Sequence, residues 1–261
     1  MFSLSRQGMT ASFLVCCLLG IGWLQFLKMQ ELLTRKHIAS TKTLQRQISQ
    51  EKQQLSFFKK IPSFGYDNIL ANWIYLKFLQ YFGDDEVRSQ TGYSLSPEYF
   101  EIILELDPRF ITAYLSLSIS TSLYAGMPEH SIKITEKGLK SLSPWVPKNS
   151  YYVWRYKGTD ELLFLEKSFM AQYSFEMAAN WASQHSDEDS KKVVSFSQKT
   201  AEFLSKNYQS KIARIATWTT VLNHQVNEKT RQRAIHEIKT LGGKVIPHDN
   251  GNYKVKLSQE D

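Results

Sequence analysis

Two adjacent carboxylates, Asp160 and Glu161, lie in an apolar stretch between Gly158 and Leu162-Leu163-Phe164-Leu165. Paired carboxylates perform acid–base chemistry when burial raises the pKa of one of them. Neighbours on a helix project about 100° apart, so these two do not face a common substrate, and a salt bridge with Arg155 or Lys157 is the expected arrangement. Six histidines, at positions 37, 130, 185, 224, 236 and 248, share no zinc-motif spacing. His236 and Glu237 fall on a basic amphipathic helix, where a solvated face accounts for both. The run Asp84-Asp85-Glu86 lacks the spaced ligands and turn glycine of a calcium loop and reads as a solvated loop. Cys16 and Cys17 are adjacent and no cysteine follows them, which excludes a disulfide framework and a four-ligand zinc site. No phosphate-cradling glycine loop or nucleophile elbow is present. The pattern predicts no catalytic residue, no metal and no cofactor.

The elements that carry these residues are legible in composition and periodicity. Of 261 residues, 42% are hydrophobic and only 12 are Gly and 7 Pro, so a real core and a helical fold are expected. The net charge of +7 is unevenly spread. Residues 1–60 carry nine Lys/Arg against Glu31 and Glu51, residues 61–185 carry ten against fourteen acids, and residues 186–261 carry thirteen against nine. An acidic centre repels phosphate, so no nucleic-acid partner is expected.

Residues 1–28 read as a transmembrane anchor. Arg6 and Lys28 bracket 21 uncharged residues, enough helix to cross roughly 30 Å of hydrocarbon. Residues 7–27 would contact lipid, with Trp23 and Phe26 suited to an interfacial belt. The sequence after the apolar run, Gly22-Trp23-Leu24-Gln25-Phe26-Leu27-Lys28, has no signal-peptide cleavage site. Lys28, Arg35 and Lys36 outnumber Arg6 and the terminal amine, so the count of basic residues leans the body toward the cytoplasm, with a periplasmic or lumenal body left open. Residues 29–62 read as a basic helical stalk, resting on anionic head groups or serving as a plain spacer.

Helical periodicity begins after Gly65 with Ile69, Leu70, Trp73, Leu76, Phe78, Leu79 and Phe82. A loop over 84–96 follows, then a helix with Ser96 as N-cap and Pro97 at its first position, stopped at Asp107-Pro108. Tyr114 and Leu117, then Ser131 and Gly138, then Pro144 resemble the tetratricopeptide repeat family, in which two antiparallel helices pair through small residues and end at proline. Trp73, Leu76 and Pro108 match in a preceding unit, and Trp154, Gly158, Ala171, Phe175 and Ala178 in a following one. The resemblance implies an all-α solenoid of about three helix pairs over 63–185; an irregular helical bundle is the alternative. Phe64-Gly65-Tyr66-Asp67-Asn68 and 152–158 also look similar to membrane-linked repeat proteins of cyanobacteria. Residues 186–261 read as a cap of helices near 191–206, 210–225 and 227–241, closed by Gly242-Gly243 and a hairpin around Asn250-Gly251.

The resemblance further implies a concave groove on the first helix of each pair, here Ile74, Phe78, Tyr81, Leu115, Ile119, Tyr152 and Arg155. Aromatic residues and Arg are enriched at binding hot spots. The expected protein is a membrane-anchored scaffold or assembly factor that binds a protein partner through that groove. A structural subunit of a membrane complex, or a helical enzyme around Asp160 and Glu161, are the alternatives.

Overall fold

A computed structural model describes residues 6–34, 41–207, 211–223, 228–247 and 253–257. The chain divides into two compact units, residues 1–50 and 51–261. The fold is mostly helical, with one two-stranded antiparallel sheet near the C-terminus.

In the first unit, α1 spans Arg6–Thr34, and α2, Thr41–Phe58, begins. The expected anchor falls on α1, and every side chain from Ser12 to Phe26 is exposed. Among the described residues, no helix is long and apolar enough to cross a membrane. Arg35 and Lys36 of the topological count, and the hairpin turn Asn250-Gly251, lie outside the described residues.

The second unit continues from the end of α2 into α3, Asp67–Gly83. Phe64 and Gly65, both with left-handed φ (50° and 86°), turn the chain into α3. The expected loop over 84–96 instead contains a short helix, α4, Asp85–Thr91. The Asp84 carboxylate caps it by accepting from Val87 N at 3.3 Å, and Asp85 and Glu86 occupy its first turn. Acids there offset the helix dipole, which is why this run is a helix start rather than a solvated loop. Helix α5 spans Ser96–Leu106. Ser96 is inside it rather than capping it; Leu95 takes the cap position, and the buried Ser96 hydroxyl has no partner among the described residues.

Helix α6, Ile111–Leu117, runs directly into a π-helical segment, Ser118–Tyr124. Helices α7 (Pro128–Leu139), α8 (Tyr151–Leu163) and α9 (Ser168–Ala182) follow. The packing runs in order: α3 on α5, the π segment on α7, α8 on α9. Small residues allow the close approaches, with Ala171 and Ala178 fully buried. Contacts also link α3 to α6 and the π segment to α8. Tyr75 Oη on α3 lies 2.8 Å from Ser116 Oγ on α6, and Ser118 Oγ donates to Asp160 Oδ1 on α8 at 2.7 Å.

The remaining helices close the far end. Helix α10, Glu188–Lys206, is capped by the Asp187 carboxylate accepting from Ser190 N at 3.0 Å. It packs on α9, joining Leu162, Phe175, Ala201 and Leu204 in one apolar cluster. Helices α11 (Lys211–Asn223) and α12 (Glu228–Thr240) surround the buried Trp218 with Leu163, Ile215, Leu222 and Ile238. Strands β1 (Gly243–Pro247) and β2 (Tyr253–Leu257) pair with Val245 opposite Val255. The Asn223 side chain clamps this sheet, donating to Tyr253 O at 3.0 Å and accepting from Tyr253 N at 2.7 Å.

Candidate functional site

The two carboxylates of interest on α8 occupy separate buried environments, as adjacency on a helix requires. Asp160 is 2% exposed. Its Oδ1 accepts from Ser118 Oγ at 2.7 Å, and its Oδ2 accepts from Ser122 Oγ at 2.7 Å and Ser131 Oγ at 2.8 Å. No cation pairs with it among the described residues, so the expected Arg155 or Lys157 bridge to Asp160 is replaced by three neutral hydroxyls. Burial pushes the Asp160 carboxyl up to about 6, while the serine hydrogen bonds pull the other way.

Glu161 is 1% exposed and does take the expected partner. Lys157, one turn earlier, donates to its Oε1, and Ser174 Oγ on α9 donates to its Oε2 at 2.6 Å. Lys157 Nζ also lies 3.4 Å from Glu136 Oε1 on α7 and donates to Ser174 Oγ on α9 at 3.4 Å, so one buried ammonium joins three helices. Such a pair is stable only because each oxygen has its own donor.

The predicted groove residues divide by helix. Ile74, Phe78 and Tyr81 are buried and are not surface residues, which corrects the expectation for α3. Phe78 is the centre of an aromatic core, with ring centroids 4.5 Å from Phe100, 5.6 Å from Phe82 and 5.7 Å from Tyr99. Tyr81 carries the Arg88 guanidinium over its ring at 4.0 Å and accepts from Leu95 N. The physical reason is that α3 is apolar on both faces, so periodicity alone does not choose between them. Leu115 and Ile119 remain exposed, and Tyr152 and Arg155 are half-buried on α8, the neighbouring first helix. Tyr152 is stacked with Tyr156 at 6.1 Å.

A second surface carries more open apolar area. Leu139 and Lys140 at the end of α7, Trp154 and Lys157 on α8, and Phe169, Met170 and Tyr173 on α9 line a groove of about 440 Å³. Phe169 is 76% exposed. Trp154 packs edge-on against Tyr173 at 5.9 Å, and its indole N–H has no acceptor among the described residues. The floor is the buried Lys157, held by Glu161 and Glu136. Another groove, of about 510 Å³, between the end of α2, α5 and α7 is crossed by the ion pairs Lys59–Glu101 and Lys137–Glu105, each 3.0 Å. Asp160 lines neither groove.

Sequence reasoning singled out neither Phe169, Met170 and Tyr173 nor Ser118 and Ser122, and it took Ser131 only as a small residue of the repeat pattern. Their signals were present. In α9 these three apolar residues lie away from the buried stripe Ala171, Phe175 and Ala178. Ser118, Ser120, Thr121 and Ser122 place several hydroxyls in one segment, of which Ser118 and Ser122 reach Asp160 while Ser120 and Thr121 have no partner among the described residues. Among the described residues no group of three or more His, Cys, Asp or Glu could hold a metal ion. Compared with known proteins, the chain matches no family model, no curated protein and no solved structure.

Proposed function

We propose that the protein is a membrane-anchored interaction scaffold or assembly factor. In this reading α1 sits in lipid, and a stack of tetratricopeptide-like helix pairs holds a partner protein. The observation that carries the reading is the groove on α7, α8 and α9, where Phe169, Met170 and Tyr173 stand open beside Trp154. Rigid aromatic side chains around a cleft suit an apolar segment of a partner. Leu115, Ile119, Tyr152 and Arg155 supply a second contact surface on the first helices. The anchor rests on the 21 uncharged residues between Arg6 and Lys28 and on the exposure of Ser12 to Phe26 along α1. The part of α1 that this reading places in lipid is the apolar run over residues 13–24. Asp160 and Glu161 act as internal ties of the stack rather than as an acid–base pair.

A photoreactive amino acid in place of Phe169 in the full-length protein, irradiated in its native membranes, tests the groove. A discrete covalent adduct with a second protein is expected there, and none from the same probe at Phe196, an exposed position on α10. Equal labelling at both positions, or none at Phe169, would overturn the reading.

A further inference from the structure

The outer face of α3 is more apolar than a water-facing helix should be. Ala71, Ile74, Phe78 and Tyr81 bury one side of it. Ile69, Trp73 and Leu76 recur at helical spacing on the opposite side and are exposed by 66%, 42% and 58%. The turn before α3 adds Phe64 and Tyr66, both exposed, and the end of α2 adds the exposed Phe57. Phe58 packs edge-on against Trp73 at 4.8 Å, so the end of α2 and the outer side of α3 form one continuous surface.

The exposed charges along this stretch are mostly basic, with Lys59 held by Glu101. From Lys52 to Gln80 the chain has Lys52, Lys59, Lys60 and Lys77 against Asp67 alone, although residues 61–185 as a whole are acidic. Lys52, Lys60 and Lys77 are exposed, and the Lys77 ammonium lies 5.6 Å from the centre of the Trp73 ring. By helical spacing, Asp67 projects to the side away from Ile69, Trp73 and Leu76. Tryptophan, tyrosine, phenylalanine and aliphatic residues bordered by lysine form the combination that sits at a bilayer interface, with the rings at head-group depth and the ammonium groups on anionic lipid.

We propose that this face, Phe57, Phe64, Tyr66, Ile69, Trp73 and Leu76, is a second membrane contact that lies against the surface of an anionic bilayer. Charge complementarity selects the occupant: an apolar strip bordered by cations matches lipid phosphates above acyl chains. The proposal gains from α1 in lipid, because a tethered face meets the bilayer at high effective concentration, and to that extent it rests on the function proposed above.

The test uses full-length protein carrying Cys16→Ala and Cys17→Ala, reconstituted in phosphatidylcholine vesicles with about one quarter phosphatidylglycerol. A polarity-sensitive fluorophore is placed through Ile69→Cys or Leu76→Cys, with Leu19→Cys on α1 and Ser195→Cys on α10 as references. Probes at Ile69 and Leu76 are expected to emit blue-shifted light and to be quenched by lipid-borne quenchers at least about twofold more than the probe at Ser195. Lys52→Gln, Lys60→Gln and Lys77→Gln together should reduce that quenching. Quenching at Leu19 without quenching at Ile69 and Leu76 would overturn the proposal and leave the anchor standing. Quenching at Ile69 and Leu76 without quenching at Leu19 would uphold the proposal and remove the anchor. No lipid quenching at any of the three would overturn both. A blue shift at Leu76 that lipid quenchers do not touch would mean that protein covers the face, and would also overturn it.

Discussion

Ser122, on the π-helical continuation of α6, donates a 2.7 Å hydrogen bond to Oδ2 of Asp160 on α8. The same oxygen accepts from Ser131 on α7, and the other carboxylate oxygen accepts from Ser118. One side chain therefore joins the π-helical segment and α7 to α8. Glu161 and Lys157 make the complementary tie, reaching Ser174 on α9 and Glu136 on α7. Two adjacent residues on α8 thus tie it to the helices packed on both of its sides. Hydrogen bonds of this kind favour one register of packing over others, which apolar contact alone does not do.

The Asp160 tie makes stability depend on pH in an unusual direction. Its carboxyl titrates near 6 in the folded protein instead of at its ordinary 3.8. Between those values the folded state holds a proton that the unfolded chain has released, so unfolding releases it and rising pH favours unfolding. The contribution of Asp160 is thus fully favourable below about pH 4 and is lost by about pH 7, amounting to at most about 3 kcal/mol. Asp160→Asn keeps the shape and lets the serine hydroxyls turn to accept. Urea titrations from about pH 4 to about pH 7 should show wild type losing stability relative to Asp160→Asn across this window. Parallel curves would contradict the assignment.

Lys157→Met leaves Glu161 buried with Ser174 as its remaining donor. Removing one partner of a buried ion pair costs about 3–5 kcal/mol, because the other charge stays uncompensated. Replacing both, with Lys157→Met and Glu161→Leu, should cost distinctly less than Lys157→Met alone. A double-mutant cycle by chemical denaturation measures the difference, and strict additivity would mean that the two side chains act independently.

The two glycines among the small residues assigned to the repeat pattern predict opposite responses. A Cβ at Gly138 would run into the Tyr114 hydroxyl and lie 2.7–2.8 Å from its ring atoms. Tyr114 has little room to retreat, since it is buried and its hydroxyl donates to Pro108 O at 2.7 Å. Gly138→Ala should therefore destabilise by about 1–3 kcal/mol despite the better helix propensity of alanine. At Gly158 the nearest atoms are 3.2 Å away on Ser174 and 3.3 Å away on Phe175, so Gly158→Ala should stay within about 1 kcal/mol of wild type. Thermal melts of both variants decide it.

Much of the helical order was legible because start and stop residues carry their own physics: Pro108 follows the end of α5, and Gly242 with φ of 90° closes α12. That the last segment forms a hairpin was legible from its alternation, whereas the register that sets Val245 opposite Val255 was not. Glu161 was legible as an ion-paired residue because Lys157 lies one turn away, a local relation. The serine partners of Asp160 were not, since they come from 29, 38 and 42 residues away and only the stack brings them together. The α4 helix was missed because a seven-residue helix has too few apolar positions to show a period, leaving only the Asp84 cap as its signal. For α3 and α9 the difficulty was ambiguity of face. Both helices are apolar on two sides, and which side is buried depends on neighbours.

That ambiguity gives the sharpest separation between core and surface. Phe78 is 1% exposed and touches Phe82, Tyr99 and Phe100, so Phe78→Ala should cost about 3–5 kcal/mol in a urea titration through the cavity it leaves. Leu115, at the neighbouring first helix, is exposed, and Leu115→Ser should change stability by no more than about 0.5 kcal/mol. If the groove had the residues that repeat equivalence assigns to it, both variants would weaken partner binding while leaving the fold intact. The packing predicts instead that loss of binding in Phe78→Ala tracks the fraction unfolded and disappears when the protein is stabilised by cooling or osmolyte. Any binding defect of Leu115→Ser would persist under those conditions, because that side chain acts at the surface rather than through the fold.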